Sequence, residues 1–408
     1  MANAPAAELA ALSLTEAGER LRTKRVSSTE LTRGCLDRIR ALDGDLHAFI
    51  TVTEQLALEQ AHSADEELAR GKYRGPLHGI PIALKDLIDT AGVRTTAASR
   101  VFANRIPEVD APIVTQLREA GAVLVGKTNL HEFAYGGSGM ISAYGIVRNP
   151  LDTTRVAGGS SSGSAAAVAA GMCYAAIGTD TAGSIRLPAA CCGAVGLKPT
   201  YGLISAEGVI PLAETYDHVG PIGRTIEDVE AIMQVLVPDL KPPSTGKLRV
   251  GVARKYFFDE LHPDIARVIE HAISHVGAQA ASMRDIEIPF EEDRTAQTYE
   301  SYRYHTERVV ATPELYDPQT LARILRGRDV TADQYQTALA RTHALRENAS
   351  KLFDAVDVIL TPTVPIPPPT IAELEADPAT LRARELLMLR NTRPFNVLGL
   401  PTATVPCG

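Results

Sequence analysis

Two Gly/Ser-rich segments and one lysine carry the side chains of this 408-residue chain that are best suited to chemistry. The first segment is Gly158-Gly159-Ser160-Ser161-Ser162-Gly163-Ser164, where hydroxyls stand on bare backbone that a reactant can approach closely. It lacks the lysine that a phosphate-binding G-x-x-x-x-G-K-[ST] loop needs after its second glycine. It does match G-x-S-x-G over Gly159–Gly163, with Ser161 as nucleophile. That motif wants a strand directly before it, whereas Asn149 to Arg155 is turn chemistry. A structural loop capping the Ala-rich helix that follows is the third reading, and the run alone does not choose among them.

The second segment, Gly178 to Pro188, follows the apolar run Cys173–Ile177. Its small residues form a turn that can present Ser184 while the N–H groups of Thr181, Ala182, Gly183 and Ser184 converge. Such a nest is what a tetrahedral acyl intermediate needs, and losing one donor typically costs about 3–4 kcal/mol of barrier. Serine also needs a base to take its proton. None of the ten histidines sits in comparable small-residue context; His78, His131 and His218 read as hydrogen-bonded structural residues. Lys85 ends the apolar run Ile80–Leu84, which delivers its ammonium toward the interior. Working as a base near neutral pH requires a fall of roughly 3 units from about 10.4, which burial can supply. A snorkelling lysine, or one paired with Asp86, is the competing reading.

The chain that positions these groups alternates helix and strand. Ser27-Ser28-Thr29-Glu30 is a capping box, and Leu31, Cys35, Ile39 and Leu42 then share one helical face. A helix is expected from about Glu54 to Arg70, stopped by Gly71, and another from a cap at Asp110 to about Ala120. Ala122–Gly126 and Cys173–Ile177 read as buried strands around the helix Ala165–Ala170. Beyond them, strands at Leu248–Ala253, Met283–Ile288 and Val356–Leu360 alternate with helices at Asp264–Val276 and Ala332–Leu352. Val364–Thr370 holds four prolines in seven residues and reads as extended. Tyr299, Tyr302 and Tyr304 either line a tunnel or, more ordinarily, pack. With no internal repeat and no linker, the pattern is that of one large α/β domain, a mixed twisted β-sheet covered by helices.

Composition narrows the function. Lys+Arg number 41 against 49 Asp+Glu, a formal charge of −8, and no basic cluster exceeds Arg22–Arg25, so direct nucleic-acid binding is not expected. No apolar run approaches the roughly 18 residues of a membrane span, and Met1–Leu14 lacks the basic start of a signal peptide. Cys35, Cys173, Cys191, Cys192 and Cys407 show no C-x-x-C spacing, so the expectation is a reduced, metal-free, cytoplasmic protein.

The blocks Gly79–Asp86, Gly126–Phe133, Gly158–Gly171, Gly178–Pro188, Gly193–Thr200 and Asp217–Pro221, in this order, resemble the amidase signature family. Asn396–Pro401 is a weaker echo. The resemblance implies a single domain with helices on both sheet faces. Its signature core would span about 70–235, between a helical segment at about 1–70 and a more variable part at about 236–408. It implies a Ser–cis-Ser–Lys triad: Ser184 as nucleophile, Ser160 after a cis peptide bond as bridging serine, and Lys85 as base. It also implies an oxyanion hole from the backbone of Thr181, Ala182, Gly183 and Ser184, and an acyl pocket at Ala134, Tyr135 and Gly136. Ser161, Thr179, Asp180 and Arg186 would support the reacting groups from behind, although Asp180 and Arg186 read equally well as ordinary turn and helix stabilisers. No cofactor is implied. The expected reaction is hydrolysis of a small-molecule amide, releasing ammonia or an amine, and a homo-oligomer is compatible with it.

Two departures from the family pattern matter. Ala182 and Ser162 stand where glycine is usual, and a Cβ at 182 would cost about 1 kcal/mol or more if the turn needs positive φ. The family also continues past a Val-Pro-Cys-Gly segment like the one at Val405–Gly408. This chain is therefore expected to end early, leaving an exposed sheet edge near Thr402–Val405 that a partner subunit covers or that leaves the protein fragile. The alternatives are a glutaminase-type subunit of a tRNA-dependent amidotransferase, or a weakened family member serving as a binding module.

Overall fold

The computed structural model describes residues 6–241 and 246–408; residues 1–5 of the Met1–Leu14 stretch lie outside the described residues. Its main sheet has seven strands. Their order is β1 (Phe49–Val52), β3 (Val123–Thr128), β2 (Pro81–Lys85), β6 (Ala175–Asp180), β8 (His218–Gly223), β7 (Val195–Lys198) and β12 (Thr402–Thr404). β2 runs parallel to β3 and β6, and the remaining four pairs are antiparallel. The sheet is mixed and flanked by helices, as the alternating pattern predicts. β2, β3, β6 and β8 are buried at every residue. Strands covered on both faces read as continuous apolar or small-residue runs, which is why the sequence shows no alternation there.

Further along the chain, β9 (Arg249–Val252), β10 (Ser282–Asp285) and β11 (Val358–Leu360) form a separate parallel sheet in the order β10-β9-β11. Strands stand at all three expected places, although β10 ends at Asp285, short of the expected Ile288, and β11 starts only at Val358; their membership of a second sheet is not visible in the sequence. β4 (Arg148–Asn149) and β5 (Asp152–Val156) make a two-stranded ribbon just before the serine-rich loop. β12 is the outermost strand beside β7, with Ala403 exposed and Thr404 buried against Thr363, their hydroxyls 3.1 Å apart.

Helix ends follow local chemistry. Ser27 accepts from Glu30 N at 3.1 Å and Glu30 Oε2 accepts from Ser27 N at 2.8 Å, the reciprocal box that starts the helix Ser28–Leu46. Asp110 is not the cap expected of it. The helix Pro112–Glu119 is preceded by Ala111, and Pro112 fixes its first turn. Asp110 instead accepts from Ala91 N at 2.7 Å and pairs with Arg118 at 3.1 Å. Tyr299 stacks on Tyr335 with centroids 4.3 Å apart, and Tyr302 and Tyr304 pack against the main core, so the three tyrosines are packing residues.

The helix Ser162–Ala169 carries the serine-rich loop at its start and packs on β2, β3, β6 and β8. Only small side chains allow so close a seat. A β-carbon at Gly163 would overlap the Ala48 carbonyl oxygen and stand 2.6 Å from Asn129 N, both backbone atoms that cannot swing aside. Gly163→Ala is therefore expected to lose about 3 kcal/mol of stability or more. Urea denaturation measures this, and an unchanged midpoint would show that the helix has room to shift.

Candidate active site

Lys85 is the last residue of β2, the strand between β3 and β6, and is wholly buried. Its Nζ donates to Ser160 Oγ at 2.7 Å and to Thr179 Oγ1 at 2.8 Å. Among the described residues no carboxylate forms an ion pair with it. Asp86, its competing partner in the sequence reading, turns away to accept from Thr96 N (2.9 Å) and Thr96 Oγ1 (2.5 Å), with Lys127 at 3.9 Å. Burial lowers the Lys85 pKa to about 7, against the weaker upward pull of Asp217 and Asp180. Lys85 is thus neither snorkelling nor salt-bridged.

The Gly159–Ser160 peptide bond is cis. A β-carbon at Gly159 would stand 3.0–3.1 Å from backbone atoms of Gly137, Ser138 and Gly139, so the loop through these residues lies directly against this bond. Ser161 ties the two serine segments together. Its N–H donates to Ser184 O at 3.1 Å, and its hydroxyl donates to Thr179 O at 3.0 Å. With that hydroxyl bound to strand backbone, the nucleophile-elbow reading of Ser161 has no structural support. The Ser184 hydroxyl, by contrast, has no hydrogen-bond partner among the described residues.

The turn that holds Ser184 is organised by Asp180, at the end of β6. Its carboxylate accepts from Gly183 N (2.7 Å), Ile185 N (3.1 Å), Arg186 Nε (3.0 Å) and Asn396 Nδ2 (2.8 Å). Burial works against its charge, yet the Arg186 guanidinium holds it well below the usual carboxylate range. Arg186 continues to Thr392 O at 2.9 Å and Asn396 Oδ1 at 2.6 Å. Both residues therefore stabilise the turn and clamp it to the C-terminal segment. Gly183, expected among the oxyanion donors, gives its N–H to Asp180, because the carboxylate lies inside the turn. The N–H groups of Thr181, Ala182 and Ser184 make no hydrogen bond among the described residues. Left-handed φ falls on Gly183 (137°) and not on Ala182, so the alanine escapes the expected penalty.

Thr392, Asn396 and Asp217 are positioning residues whose roles the sequence reading misses. Thr392 Oγ1 donates to Ala182 O at 2.6 Å. Thr181 Oγ1 donates to Asp217 Oδ1 at 2.5 Å, and burial pushes that carboxyl up to about 6. Asn396 and Asp217 lie in motif blocks, so a signal existed; Thr392 offered none. Ala134, Tyr135 and Gly136 follow Phe133, and both Phe133 and Ala134 have left-handed backbone. A side chain on Gly136 would overlap the His131 ring and approach Glu385 Oε1 to 2.6 Å. The three histidines are structural, each with its pKa lowered by burial: His78 accepts from Arg74 N, His131 packs beside Glu385, and His218 Nδ1 lies 2.7 Å from Tyr216 O.

Residues 30–408 match the family model for Amidase. The chain belongs to the amidase family. Among curated amidase-family relatives, a Glutamyl-tRNA(Gln) amidotransferase subunit from Carboxydothermus hydrogenoformans is 36% identical, covering 98% of this chain and 91% of its own length. A crystal structure described as an amidase is 35% identical with a TM-score of 0.88, covering 97% of this chain and 92% of that one. The native peptide amidase from Stenotrophomonas maltophilia is 30% identical at a TM-score of 0.80, over 99% and 91% of the two chains. No helix among the described residues of this amidase-family chain is long and apolar enough to cross a membrane.

The buried Asp180–Arg186 pair gives a direct test of the scaffold. Asp180→Asn leaves the guanidinium without its counter-charge and is expected to cost about 3–5 kcal/mol. Denaturant titration checks this, and a loss below about 1 kcal/mol would show that Asn396 and the Thr392 carbonyl suffice.

Proposed function

We propose that the protein cleaves a carboxamide through an acyl-serine intermediate. Ser184 is the nucleophile, Ser160 the relay and Lys85 the base. The observation that carries the reading is the 2.7 Å contact of Lys85 Nζ with Ser160 Oγ, in a buried site where no carboxylate holds the lysine charged. Neutral Lys85 takes the Ser160 proton while Ser160 takes that of Ser184, and Ser184 Oγ attacks the carbonyl carbon. The developing oxyanion is received by the uncommitted N–H groups of Thr181, Ala182 and Ser184. The proton returns through Ser160 to the departing nitrogen, ammonia or an amine leaves, and water hydrolyses the ester by the same relay. Thr179 holds the lysine on its line of approach, and Ser161 keeps the two serine segments in register.

A second reading is favoured by the curated relatives, several of them Glutamyl-tRNA(Gln) amidotransferase subunits with 36–38% identity over about 98% of this chain. Here the same chemistry acts on glutamine, and the ammonia passes to an acceptor held by partner chains. Purification of the protein from its native source separates the two. Partner chains that co-elute, with glutamine cleavage dependent on them, mark the amidotransferase; turnover of free amides by the isolated chain marks the amidase.

Ser184→Ala is expected to reduce ammonia release at least about 10³-fold. Lys85→Ala should abolish acylation, read as loss of Ser184 labelling by a sulfonyl fluoride, while circular dichroism stays native. Full labelling of that variant would remove Lys85 from the mechanism. The sign of the pH dependence follows from the lowered lysine pKa. Below about 7 the ammonium cannot accept a proton, so kcat/KM should rise about tenfold per pH unit and level off above about 7. A profile flat between pH 5.5 and 8 would count against the lysine as base.

A further inference from the structure

Residues 135–139 lie in no helix or strand, yet they form the wall behind the Gly159–Ser160 segment. The Ser160 carbonyl accepts from His131 N at 3.2 Å, just before this loop. The backbone of Gly137 to Gly139 closes on Gly159, and a β-carbon at Gly139 would overlap the Ser162 hydroxyl. A glycine-rich loop without ladder bonds keeps one conformation only if something outside it fixes it.

What fixes it is one buried ionic cluster. Glu385, on the helix Pro378–Met388, accepts from Ser138 Oγ at 2.7 Å, and the same oxygen stands 3.4 Å from His131 Nδ1. Its other oxygen pairs with Arg323 at 2.9 Å and lies 3.5 Å from Arg382. Arg323, on the helix Pro318–Leu325, donates to Tyr135 O at 2.6 Å. Glu385, Ser138 and His131 are wholly buried. Burying such a cluster gains little stability over apolar packing of the same volume, so its place beside the relay asks for another role. Each contact that Glu385 makes toward the site ends on the loop or on His131, and both touch the Gly159–Ser160 segment. The chain then continues to Leu389, 3.1 Å from the place of a β-carbon on both Gly137 and Gly183, and to Thr392, which holds the Ala182 carbonyl. One stretch from Glu385 to Thr392 therefore touches the supports of both serines.

We propose that Glu385 is a positioning residue for the relay. Through Ser138 and His131 it holds the loop that seats Ser160, and the chain that follows it sets this seat relative to the Ser184 turn. Ser160 Oγ thereby stays at hydrogen-bond distance from Lys85 Nζ. The inference rests on the amide-cleaving reading and adds to it the source of the relay's alignment. Proton transfer needs its partners within hydrogen-bond reach, so a loosened loop acts on turnover more than on binding.

Ammonia release is followed for hexanamide, benzamide and glutamine, and the fastest of them is used for the variants. Glu385→Gln is expected to lower kcat about tenfold or more while KM moves less than about threefold, the split that marks lost alignment. Ser138→Ala, which leaves the Glu385–Arg323 pair in place, should show the same split and carries the test if Glu385→Gln does not fold. Their double variant should fall no further than Glu385→Gln alone, since both remove one hydrogen bond. An unchanged kcat in Ser138→Ala, a loss confined to KM, or additive losses would overturn the role. The seat is also read without turnover, by hydrogen exchange of Ser138→Ala. Residues 131–139 and 158–163 are expected to exchange faster together while β9 stays unchanged. Faster exchange in the loop alone, or in neither segment, would overturn the link to Ser160. A wild type that cleaves none of the three amides and takes no sulfonyl fluoride at Ser184 counts against amide cleavage, whereas joint exchange of the two segments still supports the seat.

Discussion

The ammonium of Lys85 is removed from water at the end of β2 and meets only hydroxyls, Ser160 and Thr179. Around this one constraint the other ionisable groups fall into place. A carboxylate beside Lys85 would hold it charged and useless as a base, and three buried ones are near enough to matter in the chain or in space. Each is committed elsewhere: Asp86 to Thr96 and Lys127, Asp180 to Arg186 and Asn396, and Asp217 to Thr181 and two backbone N–H groups. The fields of Asp217 and Asp180 still reach the lysine and partly offset its desolvation. Burial outweighs them, and the lysine pKa is lowered to about 7.

The second structural device is the grip of the C-terminal segment on the Ser184 turn. Thr392 takes the Ala182 carbonyl, Asn396 joins Asp180, and a side chain on Gly183 would run into Thr392. A turn of small residues has many accessible conformations, and its donors converge only when something outside it fixes the carbonyls and the carboxylate. The cost is a set of charges taken out of water, offset by near-complete hydrogen bonding. The Thr392 hydroxyl holds the Ala182 carbonyl, while the Arg186 guanidinium, the Asn396 amide and backbone N–H groups hold the Asp180 carboxylate.

Reaction and substrate are separable in this architecture. The relatives that share most of the chain include both amidases and amidotransferase subunits, so family membership by itself does not fix the substrate. The loop from Ala134 to Gly139 is packed against by the helices that carry Arg323 and Glu385 and by Leu389. The same loop leans on the Gly159–Ser160 bond. A change in this loop therefore bears on the Gly159–Ser160 segment.

The sequence by itself determined the local features: the order of the motif blocks, the capping box at Ser27, the buried strands, and the segments that carry Lys85, Ser160 and Ser184 of the proposed mechanism. Short-range signals suffice for these, because each is written in the types and spacing of neighbouring residues. It could not say that Lys85 turns from Asp86 to Thr179, a choice made between side chains 1 and 94 positions away. Nor could it show that Gly183 gives its N–H to Asp180, that Ala182 lies outside left-handed space, or that residues 248–360 build a second sheet. Thr392 carried no motif at all. Its role arises only when segments 210 residues apart are packed together, because such contacts, like desolvation and charge proximity, belong to the folded arrangement and not to any stretch of chain.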